Sequence, residues 1–207
     1  MSKFRINVCL PPSAGVDLEA ALQAAMAPFD INLSADYNPD GMWDWWRIDA
    51  GEGERFAVKP EHDGDPRLIH CDPDEIIGYQ REPLRCDGGP RGLLDFDASR
   101  REAYLQALTR WEARQRDFER LVADHPSARP LTDAEYTRPG FETMADWAIT
   151  ATALLTLDGQ WVEPEQMGPF TDLRDGEGAG DSYARQSTAY IEGLDDDCIV
   201  VRLSCHC

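Results

Sequence analysis

Phe4-Arg5-Ile6-Asn7-Val8-Cys9-Leu10 sets Phe4, Ile6, Val8 and Leu10 on one face of an extended segment and Arg5, Asn7 and Cys9 on the other. Side chains of a strand alternate with period two, so this reads as a half-buried strand with its apolar face on a core. The end of the chain repeats the pattern. From Cys198 to Cys207, residues Ile199, Val201, Leu203 and Cys205 share one face. The chain therefore begins and ends in strands, and what lies between decides how a sheet closes around them.

Pro11 and Pro12 end the first strand. Leu18, Ala21, Leu22, Ala25 and Met26 then recur at helical spacing, which predicts a helix from Asp17 to about Ala27 with Asp17 or Ser13 as N-cap and Pro28 near its end. Met42 to Ile48 is aromatic and strand-like, and Arg55 to Val58 reads as its hairpin partner across Asp49 to Glu54. Lys59 to Asp95 is rich in Pro, Gly and Asp, with Ile76, Ile77 and Tyr79 as its compact apolar cluster, and reads as a long irregular excursion. The clearest helix runs from about Ser99 to Ala123, where Tyr104, Leu108, Trp111, Phe118 and Val122 form an apolar stripe. Its outer face carries Arg110, Arg114, Arg116 and Arg120 among acidic residues, as a solvated face does.

His125 to Gly140 holds Pro126, Pro130 and Pro139 and reads as a surface linker. Ile149 to Leu157 is strand-like, and Asp158-Gly159 ahead of Trp161-Val162 signals a tight hairpin. Asp172 to Asp181 is a Gly/Asp loop and Ser182 to Leu194 a short helix. The order predicts a single α+β domain over 1–207 with an irregular excursion at about 59–95. Its antiparallel or mixed sheet has helices packed on one face and is ferredoxin-like in character.

The 207 residues carry 39 acidic and 20 basic side chains, a net charge of −19. Affinity for phosphate backbones and anionic membranes comes from Lys and Arg, so direct nucleic-acid binding and membrane docking are disfavoured and a basic partner is allowed. Lys3 and Lys59 are the only lysines. That bias fits a GC-rich coding sequence better than salt adaptation, which also lowers lysine. The N-terminus lacks the continuous apolar run of a secretory signal, and no segment matches the apolar length of a membrane span. A cytoplasmic location is expected, with Cys9, Cys71, Cys86, Cys198, Cys205 and Cys207 as reduced thiols.

The most unusual segment is Asn38-Pro39-Asp40-Gly41-Met42-Trp43-Asp44-Trp45-Trp46-Arg47-Ile48, a carboxylate among three of six tryptophans. It resembles an uncharacterised family seen in actinobacteria and their phages. Members share an N-terminal strand and helix, an Asn-Pro-x-x-x-Trp-Asp-Trp-Tyr segment followed by Gly-Gly-Arg-Trp, and a final strand closing in Cys-His-Ile. Here Trp43, Asp44 and Trp45 match and Trp46 replaces the Tyr. Arg55 with Phe56 stands for the Arg-Trp pair after the acidic insertion Asp49 to Glu54, and no Gly-Gly pair precedes it. Cys205 and His206 match the ending and Cys207 replaces the Ile. The resemblance covers about the first sixty and last forty residues. It implies a fold and a shared motif, and it transfers no activity, substrate, cofactor or catalytic residue.

Strict alternation would put Trp43 and Trp45 on one side and Asp44 and Trp46 on the other. An apolar neighbourhood would raise the pKa of Asp44 and suit it to acid–base work, whereas Arg55 on an adjoining strand would hold it ionised. The structural alternative is an aromatic core strand whose Asp44 is satisfied by Arg55 or by backbone N–H groups. Cys205 and Cys207, with His70, Cys71 and Cys86, offer zinc-ligand chemistry but lack the paired C-x-x-C or spaced His signature, so no metal or other cofactor is assigned. Cys205 with neighbouring His206 is a poor nucleophile–base pair, because strand neighbours point to opposite faces. Gly176 to Ser182 superficially resembles a phosphate loop, but Glu177 and Asp181 repel an anion. Asp172, Asp175 and Asp181 lack the EF-hand ligand pattern.

Three function classes remain. The leading one is a protein-interaction or regulatory module that binds through Trp43, Trp45, Trp46 and Arg47. The second is an acidic DNA mimic that occupies the cationic groove of a nucleic-acid-binding protein. The third is an enzyme using Asp44 and Arg55 with His206 or Tyr37 in a cleft.

Overall fold

In a computed structural model the chain forms an α+β fold built on a mixed, six-stranded sheet. The structure describes residues 3–33, 38–51, 55–74, 81–124, 144–164 and 178–207. Tyr37, the Ile76–Tyr79 cluster, the linker from His125 to Gly140 and the Asp172–Glu177 part of the Gly/Asp loop lie outside them.

Strand β1 (Lys3–Leu10) pairs antiparallel along its whole length with the last strand, β8 (Ile199–His206), from Lys3 opposite His206 to Leu10 opposite Ile199. On its other side β1 pairs in parallel with β6 (Ala153–Leu155), and β6 pairs antiparallel with β7 (Trp161–Val162) through the Asp158-Gly159 turn. Gly159 sits there at φ 78°, the left-handed region that favours glycine. The free edge of β8 is shared. β2 (Trp45–Ile48) takes Leu203 to His206, and β5 (Gly88–Pro90) takes Ile199 to Val201. The seam falls at Arg202, whose carbonyl accepts from Asp49 N at 3.3 Å and whose N–H donates to Asp87 O at 2.8 Å. Two strands from distant parts of the chain thus act as one. This topology does not confirm the ferredoxin-like character expected from the element order.

The expected Met42–Val58 hairpin does not form. β3 (Phe56–Ala57) pairs instead with β4 (Arg85–Cys86) in a separate two-stranded sheet, and β2 finds its partner at the far end of the chain. The segment from Lys59 to Asp95 is correspondingly not all irregular, since it supplies β4 and β5 and buries Leu68, Cys71 and Cys86. β5 reaches β8 because Gly88 has no side chain. A Cβ there would lie 2.5 Å from the carbonyl oxygen of Val200.

Helices cover both faces of the sheet rather than one, so β1 is buried on both sides from Ile6 to Leu10 instead of being half exposed. On the first face Ile6, Val8, Leu203 and Cys205 pack with Leu22 and Met26 of α1 (Leu18–Met26) and with Trp43. Asp17 caps α1 by accepting from Ala20 N at 3.1 Å. On the second face Cys9, Val200 and Leu154 pack with Phe56 and Phe96, and with Tyr183 and Ile191 of α3 (Ala179–Glu192). The small residues Ala184, Ser187 and Thr188 are buried on α3 and let it approach the sheet closely. Helix α2 (Phe96–Asp124) starts three residues earlier than its stripe suggests, because Asp95 caps it through Ala98 N at 2.8 Å. Its first turns reach the core: Phe96, Ser99 and Ala107 are buried, while Tyr104, Leu108 and Trp111 are half-buried.

Candidate functional site

The tryptophan segment bends at Asp44, so strict alternation begins only at Trp45. Trp43, bridged to Asp30, is buried against α1, and its indole N–H donates to the Met26 carbonyl at 3.1 Å. Trp46 packs, half-buried, on the same core cluster. Trp43 and Trp45 therefore do not share a side; Trp43 and Trp46 do. Trp45 is 44% exposed, and the Arg47 guanidinium carbon stands 5.4 Å from its ring centre, within cation–π range. Asp49 accepts from Arg47 at 2.8 Å and steadies that stack.

Asp44 and His206 meet. Nδ1 of the imidazole lies 2.7 Å from Oδ1 of the carboxylate, with the side chains 35% exposed for Asp44 and 21% for His206. Register explains the encounter, since His206 is directly opposite Trp45, the residue after Asp44. Arg55 joins neither. It pairs with Glu82 at 3.1 Å and lies 3.7 Å from Asp87, so the expected Asp44–Arg55 pair is not formed.

Two buried charges escaped the sequence reading. The Asp87 carboxylate is fully buried and accepts from Ala50 N and Cys71 N, both at 2.8 Å, which ties three segments of the chain together. Arg202, 1% exposed, donates to Asn7 Oδ1 at 2.9 Å and to the carbonyls of Ile149 and Thr150 at 2.5 and 2.9 Å. Its guanidinium stacks 4.3 Å over the Phe56 ring. The available signal was the pairing of one polar residue in mid-strand at each end of the chain. Asn7 is directly opposite Arg202, and two such residues on the covered face of a sheet must satisfy each other.

Of the six cysteines only Cys207 is exposed, and none is in a disulfide. Burial pushes the thiols of Cys86 and Cys205 up to about 12 and raises those of Cys9 and Cys198, which keeps them protonated and unreactive. His70 has both ring nitrogens buried without a hydrogen-bond partner, and burial lowers its pKa. Among the described residues no group of three or more His, Cys, Asp or Glu side chains is placed to hold a metal ion. Nor is any helix among them long and apolar enough to cross a membrane.

No protein family matches the chain, and neither a curated protein nor a solved structure matches it.

Proposed function

We propose that the protein is an interaction module that holds a protein partner along the Trp45 edge of its sheet. The observation that carries this reading is the exposed Trp45–Arg47 stack on β2, a strand that pairs with β8 on one side and with no described strand on the other. Tryptophan and arginine are the residues that most often dominate binding energy, and an open strand edge offers backbone groups to an added strand. The charge of −19 favours a basic partner and speeds its approach. The two pieces that carry the likeness to the actinobacterial and phage family, Trp43-Asp44-Trp45 and Cys205-His206, meet beside this edge.

The test is affinity capture from host lysate with the wild-type chain and with Trp45→Ala/Arg47→Ala. A stoichiometric partner retained by the wild type and lost from the folded variant supports the reading. Equal recovery by both overturns it. The Asp44–His206 contact favours a second reading, acid–base catalysis by His206 with Asp44 as its orienting group. Substrate turnover abolished by His206→Gln, at unchanged partner binding, would establish that alternative. The DNA-mimic reading rests on charge alone.

A further inference from the structure

β1 and β6 run parallel, with Val8 opposite Leu155, so both strands end at the same side of the sheet. The chain then leaves them for different elements. From β1 it passes Pro11 into the short 3-10 turn Pro12–Val16 and α1, and from β6 it enters the Asp158-Gly159 turn that leads to β7. Segments that part at the carboxyl ends of neighbouring parallel strands leave a crevice between them. Here it is a groove of about 630 Å³, in the range of small-molecule sites.

Its floor is apolar and its rim is acidic. Leu10, Ala14 and Leu155 are buried and form the floor, while Val16, 93% exposed, and Leu157, 40% exposed, stand at the rim. Water-covered aliphatic side chains at the mouth of an apolar groove are surface that a bound molecule dries favourably. Two carboxylates, Asp17 and Asp158, also line the groove, and none of its described lining residues is basic. Asp158 is fixed by neutral donors: its carboxylate accepts from the Thr156 hydroxyl at 2.5 Å and from the Gln160 amide at 2.6 Å. The Thr156 bond, first among these, holds its carboxyl below the ordinary carboxylate value. Asp17 accepts from Ala20 N at 3.1 Å as the cap of α1. Neither carboxylate forms an ion pair with a described residue, so the groove carries two negative charges without a counter-cation of its own. An ammonium group donates three hydrogen bonds from one compact charge, which suits carboxylates carried by separate segments.

We propose that this groove binds a small apolar amine in its ammonium form, with the charged head at Asp17 and Asp158 and the hydrocarbon body on Leu10, Ala14 and Leu155. The site stands apart from the Trp45 edge, since neither Trp45, Asp44 nor His206 lines it.

The experiment is a fluorescence titration of the full chain with dansylcadaverine, an environment-sensitive fluorophore whose amine is charged at neutral pH, paralleled by N-butyl dansylamide, which lacks that charge. The expected result is one saturable site for the amine and binding of the neutral compound about tenfold weaker. Asp17→Asn still caps α1 and Asp158→Asn still accepts from Thr156, so both variants keep the fold. Each should weaken amine binding about threefold, and the double variant about tenfold, as loss of partly exposed ion pairs does. Val16→Ser takes apolar area from the rim and should weaken it about threefold. A charge of −19 attracts any cation, so Glu119→Gln, on the outer face of α2, removes one charge elsewhere and should leave the affinity unchanged. Displacement by 1-naphthylmethylamine and not by 1-naphthaleneacetate supports the site. Absence of saturable binding overturns the proposal. So do equal affinity for the neutral compound, an unchanged affinity in the double variant or in Val16→Ser, an equal loss in Glu119→Gln, or equal displacement by the acetate.

Discussion

His206 Nδ1 and Asp44 Oδ1 stand 2.7 Å apart, so a hydrogen bond joins the penultimate residue of the chain to the bend that starts the tryptophan strand. A carboxylate oxygen accepts, so Nδ1 carries the proton of this bond. Both side chains are partly in water, and contacts of that kind contribute little to stability. Asp44→Asn keeps an acceptor at the same place and should cost less than about 1 kcal/mol in urea unfolding. A loss of several kcal/mol would mean that Asp44 is a structural keystone and would remove it from the catalytic reading.

Arg202 is the opposite case. Its side chain satisfies Asn7 and two backbone carbonyls inside the sheet–helix interface. Arg202→Leu strands Asn7 Oδ1 and the Thr150 carbonyl away from water, while the Ile149 carbonyl keeps the Asn7 amide as a donor at 2.9 Å, and each buried unsatisfied group costs roughly 1–3 kcal/mol. Unfolding by denaturant should therefore show a loss of about 3 kcal/mol or more. Arg202→Lys should recover only part of it, because an ammonium cannot reproduce the planar fork. Near-wild-type stability in Arg202→Leu would show that these groups find other partners.

Backbone close approach makes a third prediction. A methyl group at Gly88 would sit 2.5 Å from Val200 O and 2.8 Å from Val201 Cα, both backbone atoms that cannot swing aside. Gly88→Ala should push β5 off β8, lower the melting temperature and speed amide exchange at the Gly88–Pro90 pairing with Ile199–Val201. Unchanged exchange there would contradict the register.

What the sequence made legible was local. β1, α1, β8 and the Asp158-Gly159 turn are written in short periods and turn chemistry, and each forms where its pattern lies. The pairing of β2 was not legible, because its partner is separated from it by most of the chain and a hairpin to Arg55–Val58 was the nearer choice. The density of Pro, Gly and Asp between Lys59 and Asp95 hid β5, whose glycines serve the sheet rather than a loop. Coverage of both faces was hidden as well, since alternation of polar and apolar residues in β1 looks the same whether Asn7 meets water or the Arg202 guanidinium. The Asp44–His206 encounter follows from register, and register between chain ends cannot be read from either end alone.

Thiol chemistry should separate Cys207 from the rest. In the native protein an aromatic disulfide reagent should react rapidly with one thiol, the exposed Cys207, and slowly with the five buried ones. In denaturant all six should react at once. Cys207→Ser should remove the fast phase alone. Two fast equivalents in the native state would place a second cysteine at the surface and contradict the burial of Cys205 beside it.

His70 should make the fold sensitive to mild acid. Burial lowers the pKa of its imidazole, with Arg81 acting in the same direction, and neither ring nitrogen has a hydrogen-bond partner. The unfolded chain, in which a histidine titrates near about pH 6.5, then binds the proton more readily than the folded one. Stability rises with pH wherever the unfolded state holds more protons. The contribution of His70 is therefore complete above about pH 6.5 and is lost as the pH falls from there through the lower folded value. Chemical unfolding from pH 8 to pH 5 should show stability falling below about pH 6.5, with a shallower fall in His70→Leu. An identical slope in the variant would show that His70 takes up its proton as easily folded as unfolded.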